Sequence, residues 1–225
     1  MFHINPRTQV ISPSLVERYR SIEPAALGHH IDGGVMDNGI KPIRPGTSIA
    51  GIAVTVQTFG RDSTACHKAI DFIQPGDVLV IDRGGDMRYA CWGEMTSLAA
   101  QVRGAAGVVV DGPITDITTL REMDLPVFCR GAAVITTQLL GQCGAVNVPV
   151  NCGGVVVHPG DLIVGDDNGI IVIRPDQAEE WLHIAVREEA EEVAYRQALL
   201  QGQLPSQLAP IDELIRNAEK GYALP

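Results

Sequence analysis

The sequence predicts an α/β fold, with one β/α domain over residues 1–200 and a C-terminal arm over residues 201–225. Two patterns indicate this fold class. Pro-Gly turns recur ahead of short runs of Val, Ile and Leu, and amphipathic helical stretches lie between those runs. Apolar residues make up 45% of the chain and aromatic residues only 4%, so the core is expected to consist mainly of aliphatic side chains. No linker-like stretch divides the first 200 residues.

Three of the predicted strands begin just after a Pro-Gly pair, at Pro45-Gly46, Pro75-Gly76 and Pro159-Gly160. Proline presets φ at the second position of a turn and glycine accepts positive φ at the third, so each pair predicts a type II turn. The segment 166–169 ends in Asn-Gly, which tolerates left-handed φ and predicts a hairpin turn. The predicted strands are 48–56, 78–81, 107–110, 126–129, 155–157, 162–164 and 170–173.

Helices are predicted where apolar residues recur at i, i+3, i+4 and i+7. In the stretch 94–103 this spacing places Met95, Leu98, Ala99 and Val102 on one face, which is expected to point inward. The other short helices predicted are 64–73 with Ser63 as its N-cap, 117–123 with Ile117 and Leu120 inward, and a weak helix at 211–220 in the arm.

A long acidic helix is expected over about 176–200, with Trp181, Ile184, Ala185 and Val193 toward the core. The formal net charge of the chain is −10, and half of that excess lies in this helix. Because a polyanionic backbone would be repelled, the charge disfavours nucleic-acid binding. A divalent cation or a basic protein partner remains compatible with it.

The sequence also predicts where the protein works. No apolar run approaches the roughly 20 residues that a transmembrane helix needs, and the N-terminus lacks a basic and apolar leader. The five cysteines show neither a CxxC pair nor zinc-type spacing, which is typical of reduced thiols. We therefore expect a cytoplasmic protein without a membrane span.

Functional residue types concentrate between residues 84 and 130. Asp86, Glu94, Asp111 and Asp116 follow predicted strands or open predicted helices. They are therefore expected near one edge of the sheet, where α/β folds bind ligands. Carboxylate oxygens suit Mg²⁺ or Mn²⁺, which keep several waters and need only one or two direct carboxylates.

Each of these residues also has a purely structural interpretation. Asp116 stands where a helix N-cap belongs, and Asp111 fits a simple turn. Glu94 at a helix start interacts favourably with the helix dipole without any ligand. The amides of Glu94, Met95 and Thr96 would still attract an anion such as a substrate carboxylate. The residues alone leave these alternatives open.

Ordered motifs extend over about residues 40–195. They are Arg44-Pro45-Gly46, the runs 51–56 and 75–80, Trp92-Gly93-Glu94, the run 107–112, Asp116, and the runs 125–131 and 159–169. In this order and spacing the set resembles the RraA-like family, which includes the divalent-metal 4-hydroxy-2-oxoacid aldolases. No single motif is decisive, but the ordered set is specific.

The resemblance implies a swivelling β/β/α sandwich, trimers that pair into hexamers, and a site between neighbouring subunits. It implies a divalent metal, Mg²⁺ or Mn²⁺, on Asp116 and a metal-bound or catalytic water held by Glu94. The backbone at Gly93, Met95 and Thr96 would hold the carboxylate of a pyruvate group. An adjacent subunit is expected to add one carboxylate, for which the acidic helix offers Glu188, Glu189, Glu191 and Glu192.

The chain departs from the family pattern at Thr115, where an arginine normally precedes the metal aspartate and contacts the oxoacid. A hydroxyl cannot replace the planar fork of a guanidinium. Thr115 is therefore a candidate catalytic position together with Arg83, which ends a neighbouring strand and could substitute for the missing arginine. Arg88 is a second substitute, and the alternative for both arginines is surface solvation.

The resemblance favours a metal-dependent carbon–carbon lyase. It would cleave a 4-hydroxy-2-oxoacid or decarboxylate an oxaloacetate-like acid through an enolate stabilised by the metal. The departure at Thr115 predicts a substrate other than the usual one. Two alternatives stay open: a non-catalytic regulator that binds a protein partner, and a metal-dependent enzyme of another reaction class on the same scaffold.

Overall fold

The structure is a computed structural model in which residues 1–8 and 11–219 are described. The strands, β1 to β11 in chain order, are Phe2–Ile4, Lys41–Pro42, Ile49–Gln57, Asp77–Asp82, Gly107–Ile114, Val127–Ala132, Gly144–Val146, Val150–Cys152, Val155–Val157, Leu162–Gly165 and Ile170–Ile173. The helices, α1 to α7, are Pro13–Tyr19, Thr64–Ile70, Glu94–Val102, Ile117–Glu122, Ala178–Leu200, Pro205–Leu208 and Ile211–Glu219. Pro24–Leu27 forms a 3-10 helix.

Four parallel strands, β3 to β6, form the centre of the main sheet. Strands β7 and β1 lie beyond β3, β2 pairs with β6, and the hairpin β10–β11 pairs antiparallel with β3. Strand β5 continues to Ile114 with a register shift against β6 between Val110 and Pro113. Asp111 therefore lies within the strand, opposite Asp82 of β4, and the predicted end of this strand at Val110 was wrong.

The main sheet is covered on both faces, as the predicted β/β/α layering requires. Helices α2, α3 and α4 pack on one face, where Leu120 of α4 is 1% exposed and joins Ile81 and Val110 of the sheet. The hairpin β8–β9 packs on the other face, with Cys152 against Val80. Strand residues alternate between the two faces, so each strand contributes to both cores. The predicted α/β fold is confirmed.

The Pro-Gly turns form as predicted. Gly46, Gly76 and Gly160 have φ values of 74°, 91° and 92°, the left-handed region that a type II turn requires of its third residue. The predicted hairpin turn also forms, because Asp166 donates its N–H to the carbonyl of Gly169 over 3.0 Å between β10 and β11. Neither residue of its Asn-Gly pair needs a positive φ.

Three of the four residues predicted to face inward from α3 are exposed, while Ala99 packs against the core as predicted. Met95, Leu98 and Val102 are 65%, 48% and 79% exposed. The buried residues of the helix are small: Thr96, Ser97 and Ala100. Small side chains let the helix axis approach the sheet closely, and the indole of Trp92 donates to the hydroxyl of Ser97 over 2.7 Å. The apolar spacing was therefore a surface stripe and not a core face.

Two further helix predictions need correction. In α5 Ala185 is buried as predicted, together with Ala178 and Leu182, and Trp181 and Ile184 pack half-buried against the same core. Val193 is exposed, so its predicted place in the core was wrong, because the helix lies at the surface from residue 190 to 197.

Ser63 makes no side-chain cap bond to α2. Asp62 does this instead, because its Oδ1 accepts from the amide of Thr64 over 2.9 Å and from its hydroxyl over 2.6 Å. Helix α2 ends at Ile70, three residues earlier than predicted, and α4 ends at Glu122.

Helices α6 and α7 follow α5, within the stretch predicted as a C-terminal arm. The predicted helix 211–220 is observed up to Glu219, and residues 220–225 of the predicted arm lie outside the described part of the chain. In the portions that the structure covers, no helix is long and apolar enough to cross a bilayer.

Candidate functional site

Asp116 lies between the end of β5 and the start of α4. Its φ of 57° and ψ of 32° place it in the left-handed region, which a non-glycine residue adopts at a cost of about 1–3 kcal/mol. Among the described residues only Asn147 shares this feature without being a glycine. Its side chain forms no cap bond with α4, so the interpretation of Asp116 as the side-chain cap of its own helix is wrong.

Each oxygen of the Asp116 carboxylate accepts a hydrogen bond from a different neighbour. Oδ2 accepts from the amide of Glu94 over 2.9 Å, and Oδ1 accepts from the hydroxyl of Thr115 over 3.3 Å. The amide of Thr115 in turn donates to the carbonyl of Trp92 over 2.9 Å. The end of β5 is thus bonded at two points to the segment that begins α3.

Gly93 is required by this close approach and not by its backbone angles. Its φ is −164°, an extended conformation that any residue adopts. A Cβ atom added at Gly93 would lie 2.5 Å from Oδ2 of Asp116 and 2.7 Å from Cγ2 of Thr115. Any side chain at this position would therefore push the carboxylate away from the N-terminus of α3.

The first turn of α3 is well ordered by local hydrogen bonds. The amide of Gly93 donates to the hydroxyl of Thr96, and the amide of Ser97 donates to the carbonyl of Gly93, both over 3.0 Å. Met95 is exposed, and Thr96 is buried. The amides of a first helical turn lack partners within the helix and carry partial positive charge. Asp116 already occupies the amide of Glu94, which leaves those of Met95 and Thr96 for a ligand anion.

The four carboxylates predicted at one edge do not gather at one point. Asp111 accepts from the guanidinium of Arg130 and, over 2.7 Å, from the amide of Gly153. Asp37 also binds Arg130, over 2.6 Å, and these two carboxylates raise the pKa of the guanidinium. Asp111 thus belongs to an ion-pair network with Arg130 and Asp37, and its position at the same edge as Asp116 stays a prediction.

Asp86 likewise has partners of its own. Its Oδ1 accepts from the amides of Arg88 and Tyr89, and its Oδ2 lies 3.2 Å from Nη2 of Arg83. Within residues 1–8 and 11–219 no cluster of three or more His, Cys, Asp or Glu side chains could hold a metal. Asp116 alone still fits Mg²⁺ or Mn²⁺, because its exposed carboxylate has acceptor capacity left and these ions keep several waters.

The two candidate substitute arginines differ sharply. Arg83 is fully buried, so surface solvation is excluded for it. Its Nη2 donates to the carbonyls of Gly60 and Tyr89, while Nε and Nη1 are buried and have no hydrogen-bond partner among the residues that the structure describes. Arg88 is exposed, and its guanidinium lies 5.4 Å from the ring centre of Tyr89. The hydrogen bonds and ion pairs of the described residues connect neither arginine to Asp116.

Three of the four acidic donors predicted on α5 already have partners within the chain. Glu188 lies 2.9 Å from His30 and 3.1 Å from Arg187, and these contacts lower the pKa of Glu188. Glu189 accepts from the amide of Glu23 over 3.1 Å. Glu191 is exposed and lies 3.8 Å from Arg187, and Glu192 is exposed.

Sequence reasoning missed how the site is assembled. Trp92 contributes its backbone carbonyl, which accepts from the amide of Thr115, and Gly93 contributes the space left by its missing side chain. Neither feature can be recognised from charge or from a sequence motif. The signal available was the order Trp92-Gly93-Glu94, a glycine directly before the first residue of a helix. Sequence reasoning also missed Asp62, a buried carboxylate that accepts hydrogen bonds from the amides of the loop around residue 140.

The fold and the site together define an α/β protein in which a strained aspartate is bonded to the N-terminus of a neighbouring helix. The sequence profile of the family described as RraA-like, Aldolase/RraA, matches residues 25–172. The chain belongs to this family. A relative from Halalkalibacterium halodurans, provisionally named 4-hydroxy-4-methyl-2-oxoglutarate aldolase, is 38% identical over 185 residues, which cover 82% of this chain and 88% of the relative.

Solved structures agree with this assignment. RraAS2 of Streptomyces coelicolor, described as an unusual member of the RNase ES inhibitor RraA family, superposes with a TM-score of 0.75 at 31% identity. The match covers 85% of this chain and 99% of RraAS2. RraA from Thermus, described as an RNA-processing inhibitor, gives a TM-score of 0.60 at 28% identity, over 66% of this chain and 90% of that one. The predicted RraA-like fold is confirmed.

Proposed function

We propose that this protein is a divalent-metal-dependent carbon–carbon lyase that acts on a 2-oxoacid. The observation that carries this proposal is the 2.9 Å bond from the amide of Glu94 to Asp116. It brings the candidate metal carboxylate against the helix terminus whose next amides suit a substrate carboxylate. A relative provisionally named as an aldolase, alike over most of both chains, supports the same reaction class.

The chain's own residues have distinct roles in this proposal. Asp116 holds the cation, Mg²⁺ or Mn²⁺, through the carboxylate lone pairs that Glu94 and Thr115 do not use. A bound divalent ion supplies Lewis-acid polarisation of the substrate's 2-oxo group. The amides of Met95 and Thr96 bind the substrate carboxylate, and Gly93 leaves room for the Asp116 carboxylate beside them. Glu94 holds a water that delivers a proton to the enolate carbon after the carbon–carbon bond breaks; in retro-aldol cleavage that proton comes from the 4-hydroxyl of the substrate.

The absence of an arginine at Thr115 bears on which substrate is used. A guanidinium would give the oxoacid a charged, bidentate partner, and charge-assisted bonds are roughly twice as strong as neutral ones. Arg83 is buried and hydrogen-bonded to Gly60 and Tyr89, so it reaches substrate only if the loop around it moves. Arg88 is exposed and has no such restriction. We therefore expect weak activity on standard 4-hydroxy-2-oxoacids.

A second candidate function is regulation of a protein partner without catalysis. The exposed apolar stripe of Met95, Leu98 and Val102 on α3 favours a protein contact at this position. Of the structural relatives, the Thermus RraA is described as an RNA-processing inhibitor, and RraAS2 as an unusual member of the family of the RNase ES inhibitor RraA. The same stripe could bind a second copy of this chain in an oligomeric lyase. The stripe alone therefore does not distinguish the lyase from the regulator.

Turnover of a panel of 2-oxoacids with and without Mg²⁺ separates the two functions. We expect pyruvate or a related oxoacid to be released only when the metal is present. Mg²⁺ or Mn²⁺ should also raise the melting temperature, because a bound ion stabilises the native state by mass action. Asp116→Ala should remove both effects. No metal-dependent turnover of any oxoacid, together with a melting temperature indifferent to the metal, would favour the binding protein.

A further inference from the structure

We propose that Thr115 is a positioning residue that holds the Asp116 carboxylate in the orientation needed for metal binding. This role rests on the metal site of the proposed function and assigns a purpose to the residue that stands in place of the family arginine. Thr115 itself touches neither metal nor substrate in this proposal. It acts through the aspartate that follows it.

The hydroxyl of Thr115 is placed to select one rotamer of Asp116. It donates to Oδ1 over 3.3 Å, while the amide of Glu94 donates to Oδ2 over 2.9 Å. Two donors on two different oxygens define the plane of the carboxylate. Each oxygen keeps a lone pair, since a carboxylate offers about four acceptor positions. Oδ1 would be the oxygen that holds the cation, because Oδ2 is bonded to the first residue of α3.

The rest of Thr115 restricts the direction of its hydroxyl. Its amide donates to the carbonyl of Trp92 over 2.9 Å, which fixes its backbone. Its methyl group lies against Gly93, where an added Cβ would come within 2.7 Å of it. A β-branched side chain is already stiff about χ1, and a methyl held in this way leaves the hydroxyl little choice. Threonine thus combines a hydrogen-bond donor with a methyl group whose packing against Gly93 restricts the side-chain rotamer.

The two functions of Thr115 can be separated by substitution. Thr115→Val keeps the branched shape and the methyl group but removes the donor. Thr115→Ser keeps the donor but removes the methyl group. A residue that is only structural would tolerate valine best, whereas a residue that positions Asp116 through its hydroxyl would tolerate serine best. The order of the two variants in metal affinity therefore distinguishes the roles.

The test measures Mn²⁺ affinity by calorimetry, and the melting temperature of each metal-free variant. We expect Thr115→Val to weaken Mn²⁺ binding about tenfold, the scale seen when a metal ligand loses its supporting hydrogen bond. Its metal-free melting temperature should match that of the unmodified protein. Thr115→Ser should retain most of the Mn²⁺ affinity. Thr8→Val, an exposed threonine beside the Arg7–Asp77 ion pair at the start of β4, is the control and should change neither quantity.

Several outcomes would overturn this role for Thr115. They are unchanged Mn²⁺ affinity in Thr115→Val, an affinity of Thr115→Ser as low as that of the valine variant, and no Mn²⁺ binding by the unmodified protein. Failure of the lyase activity has a different signature. If Mn²⁺ binds with the expected order of variants but no oxoacid is turned over, the positioning role stands and the proposed reaction fails.

Discussion

The amide of Glu94 donates a hydrogen bond of 2.9 Å to Oδ2 of Asp116, 22 residues further along the chain. This bond joins the first residue of α3 to the residue that precedes α4. A helix N-terminus is a favourable place for a carboxylate because its amides are unpaired and the helix dipole is positive there. Asp116 is thus held by the same kind of interaction that would bind a substrate anion one residue further along α3.

Gly93→Ala should abolish the effect of metal on stability. The new Cβ would meet Oδ2 of Asp116 at 2.5 Å, so the carboxylate must move and its bond to Glu94 is lost. We expect the Mn²⁺-induced rise in melting temperature to disappear, measured by differential scanning fluorimetry. Gly33→Ala is the matched control, since a Cβ there meets nothing within 4 Å. An unchanged metal response in Gly93→Ala would show that Asp116 does not bind the ion in this conformation.

Glu94→Gln should lower the rate without weakening metal binding. The substitution removes the carboxylate that is proposed to exchange a proton but keeps the backbone amide that bonds Asp116. Loss of a general acid–base group typically costs on the order of a hundredfold or more in rate. We expect this loss in kcat at constant Mn²⁺ affinity. Glu122→Gln, an exposed glutamate at the end of α4, should behave like the unmodified protein. A fall in Mn²⁺ affinity in Glu94→Gln would make the side chain part of the metal site instead.

Leu98→Glu should prevent self-association. Met95, Leu98 and Val102 form an apolar stripe on the surface of α3, and contiguous exposed apolar surface marks interaction sites. We predict a trimer or hexamer in solution and expect a charge in the centre of this stripe to shift it toward monomer. Light scattering coupled to size-exclusion chromatography measures both. Val156→Glu, an exposed valine on β9, should leave the oligomer intact. If the unmodified protein is a monomer at micromolar concentration, the predicted site between neighbouring subunits is contradicted.

Asp62 is a buried carboxylate whose ionised form stabilises the fold. It is 1% exposed and accepts from Thr64 and from the amides of Leu140, Gln142 and Cys143. Burial raises the pKa of Asp62, but the hydrogen bonds from Thr64 and from these amides outweigh it, and the net pKa lies well below its ordinary value. The ionised form is therefore favoured in the folded state. Its contribution to stability is present above the unfolded pKa of about 3.9 and is lost as pH falls through the lower folded pKa.

Asp62→Asn should accordingly destabilise the protein at neutral pH by on the order of 2 kcal/mol, since hydrogen bonds to a charged acceptor are lost. The difference in unfolding free energy between the two proteins should stay constant from pH 7 to about pH 5 and shrink below about pH 4. Urea denaturation at a series of pH values measures it. Asp124→Asn, an exposed aspartate, is the control and should show little change at any pH. A difference that does not depend on pH would mean that the shape of the side chain matters and its charge does not.

Part of the fold and of the site could be predicted from residues and their spacing. Pro-Gly turns preceded β3, β4 and β10 because the φ preferences of proline and glycine are local properties. The buried strands were predicted correctly because short runs of Val and Ile between turns favour buried β-strands over other structures. Local pattern also predicted a candidate site within residues 84–130, the segment that contains Glu94 and Asp116, since charged residues after apolar strands are conspicuous. What it could not supply was the pairing between Glu94 and Asp116.

The faces of the helices show why periodicity was not enough. Met95, Leu98 and Val102 have the spacing of a core face, yet α3 turns its small residues, such as Ala100, inward. Which face of a helix turns toward the sheet depends on how closely the helix must pack against it, and close packing requires small side chains on that face. The spacing of apolar residues is equally compatible with a core and with an interface.

The sequence by itself determined the fold class, the order of the elements and the residue types available for chemistry, because these depend on local backbone preference and on composition. Tertiary structure alone decided that Asp111 joins Arg130, that Arg83 is buried, and that Asp116 lies against α3. These outcomes depend on distances between residues far apart in the chain. The physical reason is the parallel register of β4, β5 and β6, which sets which strand ends are neighbours and which side chains have room.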